Sequence, residues 1–146
     1  MKPEETVDYF LKVVWQNVAN TYNQIAAGFG ITQALGYALI NIQEEGTAVT
    51  QIANLLGVKS TSLSRMLNNM EELGLIYRKV DENDKRSVKI YLTDFGREKK
   101  QLAKEVVRHF NEYLNTHLKE TERQQLITAL QKVNDLTLAY KPISVV

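Results

Sequence analysis

The stretch DENDKRSVKIYLTDFG, residues Asp81–Gly96, decides the fold predicted for this chain. Charged or small polar residues fill its first seven positions, and apolar and polar residues then alternate. Alternation with a period of two predicts a strand over 88–92, and the closing Leu-Thr-x-x-Gly predicts a helix whose N-cap is Thr93. The residues before the strand, 81–87, therefore form a polar, basic-tipped loop held between regular elements.

Upstream, residues 75–80 show the same two-residue period, so 75–80 and 88–92 are expected to pair as a β-hairpin. Two short helices are predicted before this hairpin, at about 51–56 and about 61–73. The residues that cap and end them are, in order, Thr50, Gly57, Ser60 and Gly74.

The two short helices have the residue spacing of a helix-turn-helix. Ala53 is small enough for a close helix crossing, Gly57 tolerates a positive φ in the turn, and Leu63 anchors the second helix inward. Other helical pairs joined by a glycine turn share these features, so the spacing favours a helix-turn-helix without excluding them.

Four further helices flank this centre. Apolar residues that recur every three or four positions predict them at 4–28, about 33–44, about 94–116 and about 122–140. Their predicted boundary residues are Thr32 and Gly46 for the second, Thr93 for the third, and a capping box of Thr121 and Gln124 for the fourth. The fold class is therefore mostly α with a small β-hairpin wing, a winged helix-turn-helix flanked by long N- and C-terminal helices.

Composition is that of an ordinary soluble protein, with 44% hydrophobic and 24% charged residues. No apolar run approaches the roughly 20 residues that span a bilayer, and the N-terminus lacks a signal-peptide hydrophobic region. A cytoplasmic location with no membrane partner is therefore expected. The chain has no cysteine, which excludes disulfides, thiolate metal sites and cysteine-based redox sensing.

Charge is distributed unevenly along the chain. Residues 59–100 carry ten Lys or Arg against seven Asp or Glu, whereas residues 1–58 carry two against five. A local basic patch on a nearly neutral protein favours a polyanionic partner, although a solvated surface can produce the same imbalance.

The outer face of the helix at 61–73 carries short polar side chains where stability alone would favour Ala, Glu and Lys. Ser and Thr can bind phosphates or base edges, Arg can read guanine, and Asn can read adenine. The residues expected to contact DNA from this helix are Ser60, Thr61, Ser62, Ser64, Arg65, Asn68 and Asn69. Phosphate contacts are expected from Thr50, Gln51 and Lys59. The alternative is that Ser60 is only a cap and Asn68 only a solvated amide.

At the tip of the loop, Lys85 and Arg86 would lie beside a docked duplex. An arginine there can enter the narrow, electronegative minor groove. Asp84 is expected to support the tip, either by holding Arg86 or by capping the turn, because an acid that faces phosphates is repelled. The alternative is that the charges protect a strand edge from aggregation.

Three motifs carry a resemblance to a known family. LGLIxR at 73–78, DxxDxRS at 81–87 and LTxxG at 92–96 resemble the MarR family of winged-helix transcriptional regulators. The predicted element order agrees with that family over the whole chain.

The resemblance implies one MarR-like chain, 1–146, that acts as a prokaryotic, cytoplasmic homodimer. Residues 32–96 would be the winged-helix DNA-binding region, with 4–28 and 97–140 as dimerisation helices. The second helix of the helix-turn-helix would enter the major groove of double-stranded DNA, and Arg86 the minor groove. Such proteins are usually repressors that release DNA when a small, often phenolic or anionic, effector binds.

Apolar residues on the terminal helices also favour a dimer independently, because the small middle region cannot cover them all. Four aromatic residues could line an effector pocket, although such residues more often belong to the core or an interface: Trp15, Tyr22, Phe29 and Tyr37. His109 and His117 have Glu105, Glu112 and Glu120 nearby in the sequence. Metal ligation needs convergent partners and a second shell, so solvated histidines are the favoured interpretation, and neither a metal nor another cofactor is expected.

Two other classes of function compete with DNA-binding regulation. A winged-helix protein-interaction module would expose apolar anchors at the wing tip, where this chain has Lys85-Arg86. An enzyme is not expected, because the sequence has no nucleophile elbow, phosphate loop, HExxH pattern or paired carboxylates near a histidine.

Overall fold

The computed structural model describes residues 1–144, which fall into two compact units, Met1–Val106 and a second that begins at Val107. The described residues form a 3-10 turn at Pro3–Glu5, six α-helices and three strands. The elements are, in order, α1 (Val7–Ala27), α2 (Gln33–Ile40), β1 (Thr47–Ala48), α3 (Val49–Leu56), α4 (Ser60–Glu72), β2 (Ile76–Val80), β3 (Val88–Leu92), α5 (Asp94–His117) and α6 (Glu120–Ala139). The predicted mostly α fold with a hairpin wing is confirmed. Over residues 1–144, none of these helices has the length and apolar character needed to cross a bilayer.

The strands form one antiparallel sheet in the order β1-β3-β2. The predicted hairpin is β2 with β3, in which Tyr77 lies opposite Tyr91 and the two rings stack with centroids 5.3 Å apart. The sequence does not predict β1, which pairs Thr47 with Ile90. A two-residue strand has no period to detect, so the alternation that reveals the hairpin cannot reveal it.

Thr93 joins the wing to α5 and caps that helix as predicted. Its Oγ1 accepts a hydrogen bond from the Gly96 N–H at 3.0 Å and donates one to the Gly74 carbonyl at 2.5 Å. The Thr93 N–H donates to the Leu75 carbonyl oxygen at 3.0 Å. The end of the hairpin and the start of α5 are therefore both tied to the chain just after α4.

One apolar core holds the helix-turn-helix, α2 and the sheet together within the first unit. Its fully buried side chains include Leu39 of α2, Ile52 of α3, Leu67 of α4 and Ile90 of β3. Burial of each such side chain contributes about 1.5–3 kcal/mol relative to exposure. This core fixes the position of α4, whose polar side is thereby left facing outward.

One predicted boundary of each of the first two helices is wrong. The first helix begins at Val7 rather than at residue 4, since Thr6 is extended (ψ 149°) and separates it from the 3-10 turn. The second ends at Ile40 rather than near residue 44. Gly46, predicted as its stop, instead lies in the turn before β1 with φ +90°, and a Cβ there would come within 2.6 Å of the Tyr91 ring.

Of the predicted hydroxyl N-caps in the first half of the chain, only Thr32 is confirmed, accepting from the Leu35 N–H at 3.1 Å. The prediction that Thr50 and Ser60 are N-caps is wrong, because both residues lie inside their helices. The residues at the N-cap positions are Ala48 and Lys59, which are extended, with ψ 141° and 153°. Neither side chain caps its helix, so packing of the buried face determines where these helices begin.

The predicted capping box at Thr121 and Gln124 is also wrong. The helix starts earlier, at Glu120, and its N-cap is Lys119. The Glu122 carboxylate accepts a hydrogen bond from the Lys119 N–H at 3.0 Å, which is the bond that the prediction assigned to the Gln124 side chain.

Candidate nucleic-acid interface

The turn between α3 and α4 has the backbone that the helix-turn-helix spacing predicts. Gly57 adopts φ +63°, a left-handed conformation that glycine reaches without strain, and its N–H donates to the Ala53 carbonyl at 2.9 Å. Ala53 is half-buried against the core, and Leu63 is only 2% exposed. The three residues therefore occupy the positions that the sequence assigns to them.

The seven residues expected to contact DNA from α4 are all exposed. The opposite side of the helix is buried through Leu63, Leu67 and Met70. Ser60 is the first helical residue rather than a cap, so its hydroxyl does not bond to the N-terminal turn of α4. The helix presents a continuous surface of hydroxyl, amide and guanidinium groups, which is a set of donors and acceptors suited to base edges and phosphates.

Arg78, on β2, is a site residue to which the sequence reasoning gives no role. Its terminal nitrogen donates to Asn68 Oδ1 at 2.5 Å, and its Nε donates to Glu71 Oε2 at 3.2 Å. Asn68 is therefore not the freely solvated amide considered as an alternative. Arg78 is the arginine of the LGLIxR motif, so the sequence contains this residue as a signal. Its contact with Asn68 joins residues ten positions apart on different elements, and the spacing of the motif does not predict that contact.

The wing tip is built around two aspartates. The Asp84 carboxylate accepts from the backbone N–H of Arg86 at 3.0 Å, and the Asp84 carbonyl accepts from the Ser87 N–H at 2.9 Å. Asp81 accepts from the Asn83 N–H at 3.0 Å and lies 3.8 Å from the Lys89 amine. Of the two expected roles for Asp84, the observed one is capping of the turn.

Asp84 leaves the cationic side chains at the tip available. Lys85 and Arg86 are exposed, and no side chain within residues 1–144 forms an ion pair with either. The three residues expected to contact phosphates, Thr50, Gln51 and Lys59, are exposed as well. The first unit thus carries an exposed basic tip and an exposed polar helix face on neighbouring elements of one core.

The four aromatic residues expected to line an effector pocket differ in burial. Trp15 and Tyr37 are 55% and 47% exposed, whereas Phe29 is partly buried against the core. Tyr22 is half-buried, and this burial raises the pKa of its phenol. These residues are spread over α1, the turn after it, and α2.

Two lysines of α5 hold the ends of α1 and α2, a feature the sequence does not predict. Lys99 Nζ donates to the Phe29 carbonyl at 2.8 Å, and Lys100 Nζ donates to the Ile42 carbonyl at 2.5 Å. Burial, and then repulsion from Lys104, lower the pKa of Lys100. Among residues 1–144, no group of three or more His, Cys, Asp or Glu side chains converges as metal ligands would.

Comparison with known proteins decides the family. A sequence model described as the MarR family matches residues 24–87. The organic hydroperoxide resistance transcriptional regulator of Bacillus subtilis (strain 168) is 33% identical over 107 residues, which are 73% of this chain and 73% of that protein. The chain belongs to the MarR family. It is therefore a transcription regulator with a DNA-binding winged helix, as the three motifs predict.

Solved structures of MarR-family regulators are similar to this chain along most of its length. A Staphylococcus aureus MepR–DNA complex matches with a TM-score of 0.83 and 27% identity, over 90% of this chain and 98% of that one. A cysteine-to-serine mutant of MarR from E. coli, complexed with operator DNA, matches with a TM-score of 0.78 and 25% identity, over 87% of this chain and 92% of that one.

Proposed function

We propose that the chain forms a homodimer that binds a pseudo-palindromic operator in double-stranded DNA and represses transcription. The single observation that supports it best is the exposed polar face of α4, on the same core as the exposed Lys85-Arg86 tip. In this proposal residues 32–96 bind DNA, and 4–28 with 97–140 form the dimer. Two copies of α4 related by a two-fold axis would read half-sites about 10 bp apart.

The dimer is supported by helices that bury almost nothing within one chain. The 20 residues of α6 include no buried residue, and the 21 of α1 include only Ala26. Large apolar side chains on these helices are 41–60% exposed: Phe10, Leu11, Val14, Trp15, Leu126, Leu130 and Leu136. An exposed apolar surface of this extent is typical of a protein interface.

Each part of the DNA-binding face has a separate role in this proposal. The hydroxyl and amide groups of α4 and the Arg65 guanidinium enter the major groove and read base edges. Thr50, Gln51 and Lys59 contact phosphates, which set orientation without reading sequence. Arg86 enters the flanking minor groove, and Asp84 holds the turn that points it there.

The regulatory signal that we propose is a small phenolic or anionic effector, bound at Trp15, Tyr22, Phe29 and Tyr37. The exposed rings of Trp15 and Tyr37 offer apolar surface for a ligand, and Tyr22 and Phe29 add partly buried aromatic surface. The Bacillus subtilis relative is named for organic hydroperoxide resistance. This chain has no cysteine, so thiol oxidation cannot be its signal.

Selection of bound sequences from randomised duplex DNA at near-physiological salt tests the proposal. We expect recovery of a pseudo-palindromic site. Recovery of nothing above non-specific background, by protein shown to be free of bound small molecules, would instead favour a winged-helix module that binds a protein partner.

Replacement of Arg86 by alanine is expected to weaken binding to every duplex by about tenfold, as for loss of one charge-assisted contact of roughly 1.5 kcal/mol. It should also reduce the slope of log K against log salt concentration by about one. Fluorescence anisotropy titrations over a range of KCl concentrations measure both quantities. Lys2→Ala is the control, because it removes an exposed charge outside the residues proposed to bind DNA or to form the dimer. An unchanged affinity for Arg86→Ala would exclude the minor-groove role.

Replacement of Arg65 by alanine is expected to weaken operator binding by about 1–3 kcal/mol and to relax specificity at one base pair per half-site. Arg65→Lys is the matched variant, because it keeps the charge and loses the two-pronged contact with guanine. Affinities for operators substituted singly at each position distinguish the two roles. A loss that is uniform across sequences, and restored by lysine, would make Arg65 a phosphate contact.

A further inference from the structure

Arg78 links the wing to the DNA-facing side of α4. Asn68 and Glu71 are three residues apart, so their side chains lie on one side of the helix, and the guanidinium bridges them at 2.5 and 3.2 Å. The Arg78 and Glu71 side chains are 34% and 48% exposed. The bridge therefore lies at the protein surface, on the edge of the face proposed to enter the major groove.

The chemistry of this bridge fixes the orientation of the Asn68 amide. A guanidinium group has five N–H donors and no acceptor, so the amide atom that faces Arg78 must be the oxygen. The Nδ2 group consequently points away from Arg78. No other residue within 1–144 forms a hydrogen bond with it, and Asn68 is exposed.

We infer that Arg78 converts Asn68 from an adenine reader into a donor that selects guanine, an inference that rests on the proposed function of α4. A free asparagine pairs with adenine by donating to N7 while its oxygen accepts from the N6 amino group. Arg78 occupies one lone pair of the Asn68 oxygen and directs that oxygen toward the wing, so Asn68 offers the duplex mainly the two N–H donors of Nδ2. Guanine presents two adjacent major-groove acceptors, O6 and N7, which suit such a donor.

Arg78 is a positioning residue in this scheme, and Glu71 assists it. The Glu71 carboxylate accepts from Nε, which leaves a terminal nitrogen of the same guanidinium directed at Asn68. The pairing also neutralises Glu71, whose free charge on α4 would repel phosphates. Asn68 follows Ser64 and Arg65 by one helical turn, so it would read a base pair next to theirs.

Two substitutions test separately the hydrogen bond from Arg78 and the Nδ2 donors of Asn68. Arg78→Met keeps an aliphatic side chain of similar length but removes every donor, so Asn68 is free to turn and accept from adenine. Asn68→Asp keeps the acceptor for Arg78 but removes the donors, so the position should change toward cytosine, whose amino group donates to a carboxylate. Lys79→Met is the matched control, because Lys79 lies next to Arg78 on β2 but pairs with Glu82 at 3.8 Å rather than with α4.

Selection from randomised duplexes, followed by titration of single-substituted operators, measures base preference at each position. For the wild type we expect guanine over adenine by about 5- to 10-fold at one base pair per half-site. Arg78→Met should abolish or reverse that ratio at the same base pair, Asn68→Asp should replace it with a cytosine preference, and Lys79→Met should leave it unchanged.

Each result that differs has a distinct meaning. If wild type, Arg78→Met and Asn68→Asp recover one and the same site, the inference is overturned while the proposed function stands. If the wild type recovers no site, the proposed function itself fails. Should Arg78→Met unfold, as circular dichroism would reveal, the exposed Asn68→Asp and an uncharged Asn68→Ala variant decide alone, and a guanine preference kept by both overturns the inference.

Discussion

Replacement of Gly96 by alanine is expected to lower the free energy of unfolding by about 3 kcal/mol or more, the range for severe overpacking. Gly96 is buried in the first turn of α5, beneath the chain that leaves α4. A Cβ at this position would overlap the carbonyl oxygen of Leu75 and lie 2.9 Å from its carbonyl carbon. The obstacle is backbone rather than a flexible side chain, and Thr93 fixes it through its N–H bond to the same oxygen.

Urea denaturation followed by circular dichroism, at one fixed protein concentration, measures this change. Gly36→Ala is the matched control, because Gly36 is also buried in a helix but a Cβ there meets only Ala103 and Ile31, at 3.6 and 3.8 Å. That variant should be neutral or stabilised by up to about 1 kcal/mol through helix propensity. If Gly96→Ala and Gly36→Ala changed the free energy of unfolding equally, the overlap with the Leu75 carbonyl would not be the cause of destabilisation.

The features predicted correctly from the sequence are those in which local chemistry and tertiary packing agree. Gly57 and Thr93 are examples, since a left-handed turn demands glycine and a helix after a strand benefits from a hydroxyl cap. The hairpin is predictable because five consecutive residues of β3 keep the period of two. Where packing decides alone, as at the starts of α3 and α4, the nearest hydroxyl residue is a misleading signal.

In the candidate site too, features set by local sequence are predictable, and features set by contacts between elements are not. Exposure of the α4 face follows from helical period, and it is predictable because the buried stripe is regular. The orientation of Asn68 depends on Arg78, a residue on another element, so no local pattern contains it. Asp84 illustrates an intermediate case, in which the sequence limits the role to two alternatives and the turn geometry selects one.

Replacement of Leu130 by glutamate is expected to dissociate the proposed homodimer and to weaken operator binding by about 10²- to 10⁴-fold, the size of the gain that simultaneous binding of two sites provides. Leu130 is 41% exposed on a helix without a buried residue, so one chain alone does not explain its apolar character. In a two-fold dimer the substitution places two carboxylates in an apolar interface, where an unpaired charge is strongly unfavourable. A monomer can contact only one half-site, so it loses the gain from simultaneous binding.

Analytical ultracentrifugation gives the oligomeric state, and anisotropy titrations with an operator and with a single half-site give the affinities. Thr128→Glu is the matched control, since it adds the same charge to an exposed residue that lies about 160° around α6 from Leu130. The control should remain dimeric with unchanged affinity. The decisive pattern is that Leu130→Glu loses affinity for the full operator but not for the half-site. A monomer that still bound the full operator as tightly as the wild type would show that α6 forms an interface unnecessary for DNA recognition, whereas an intact dimer would remove α6 from the interface.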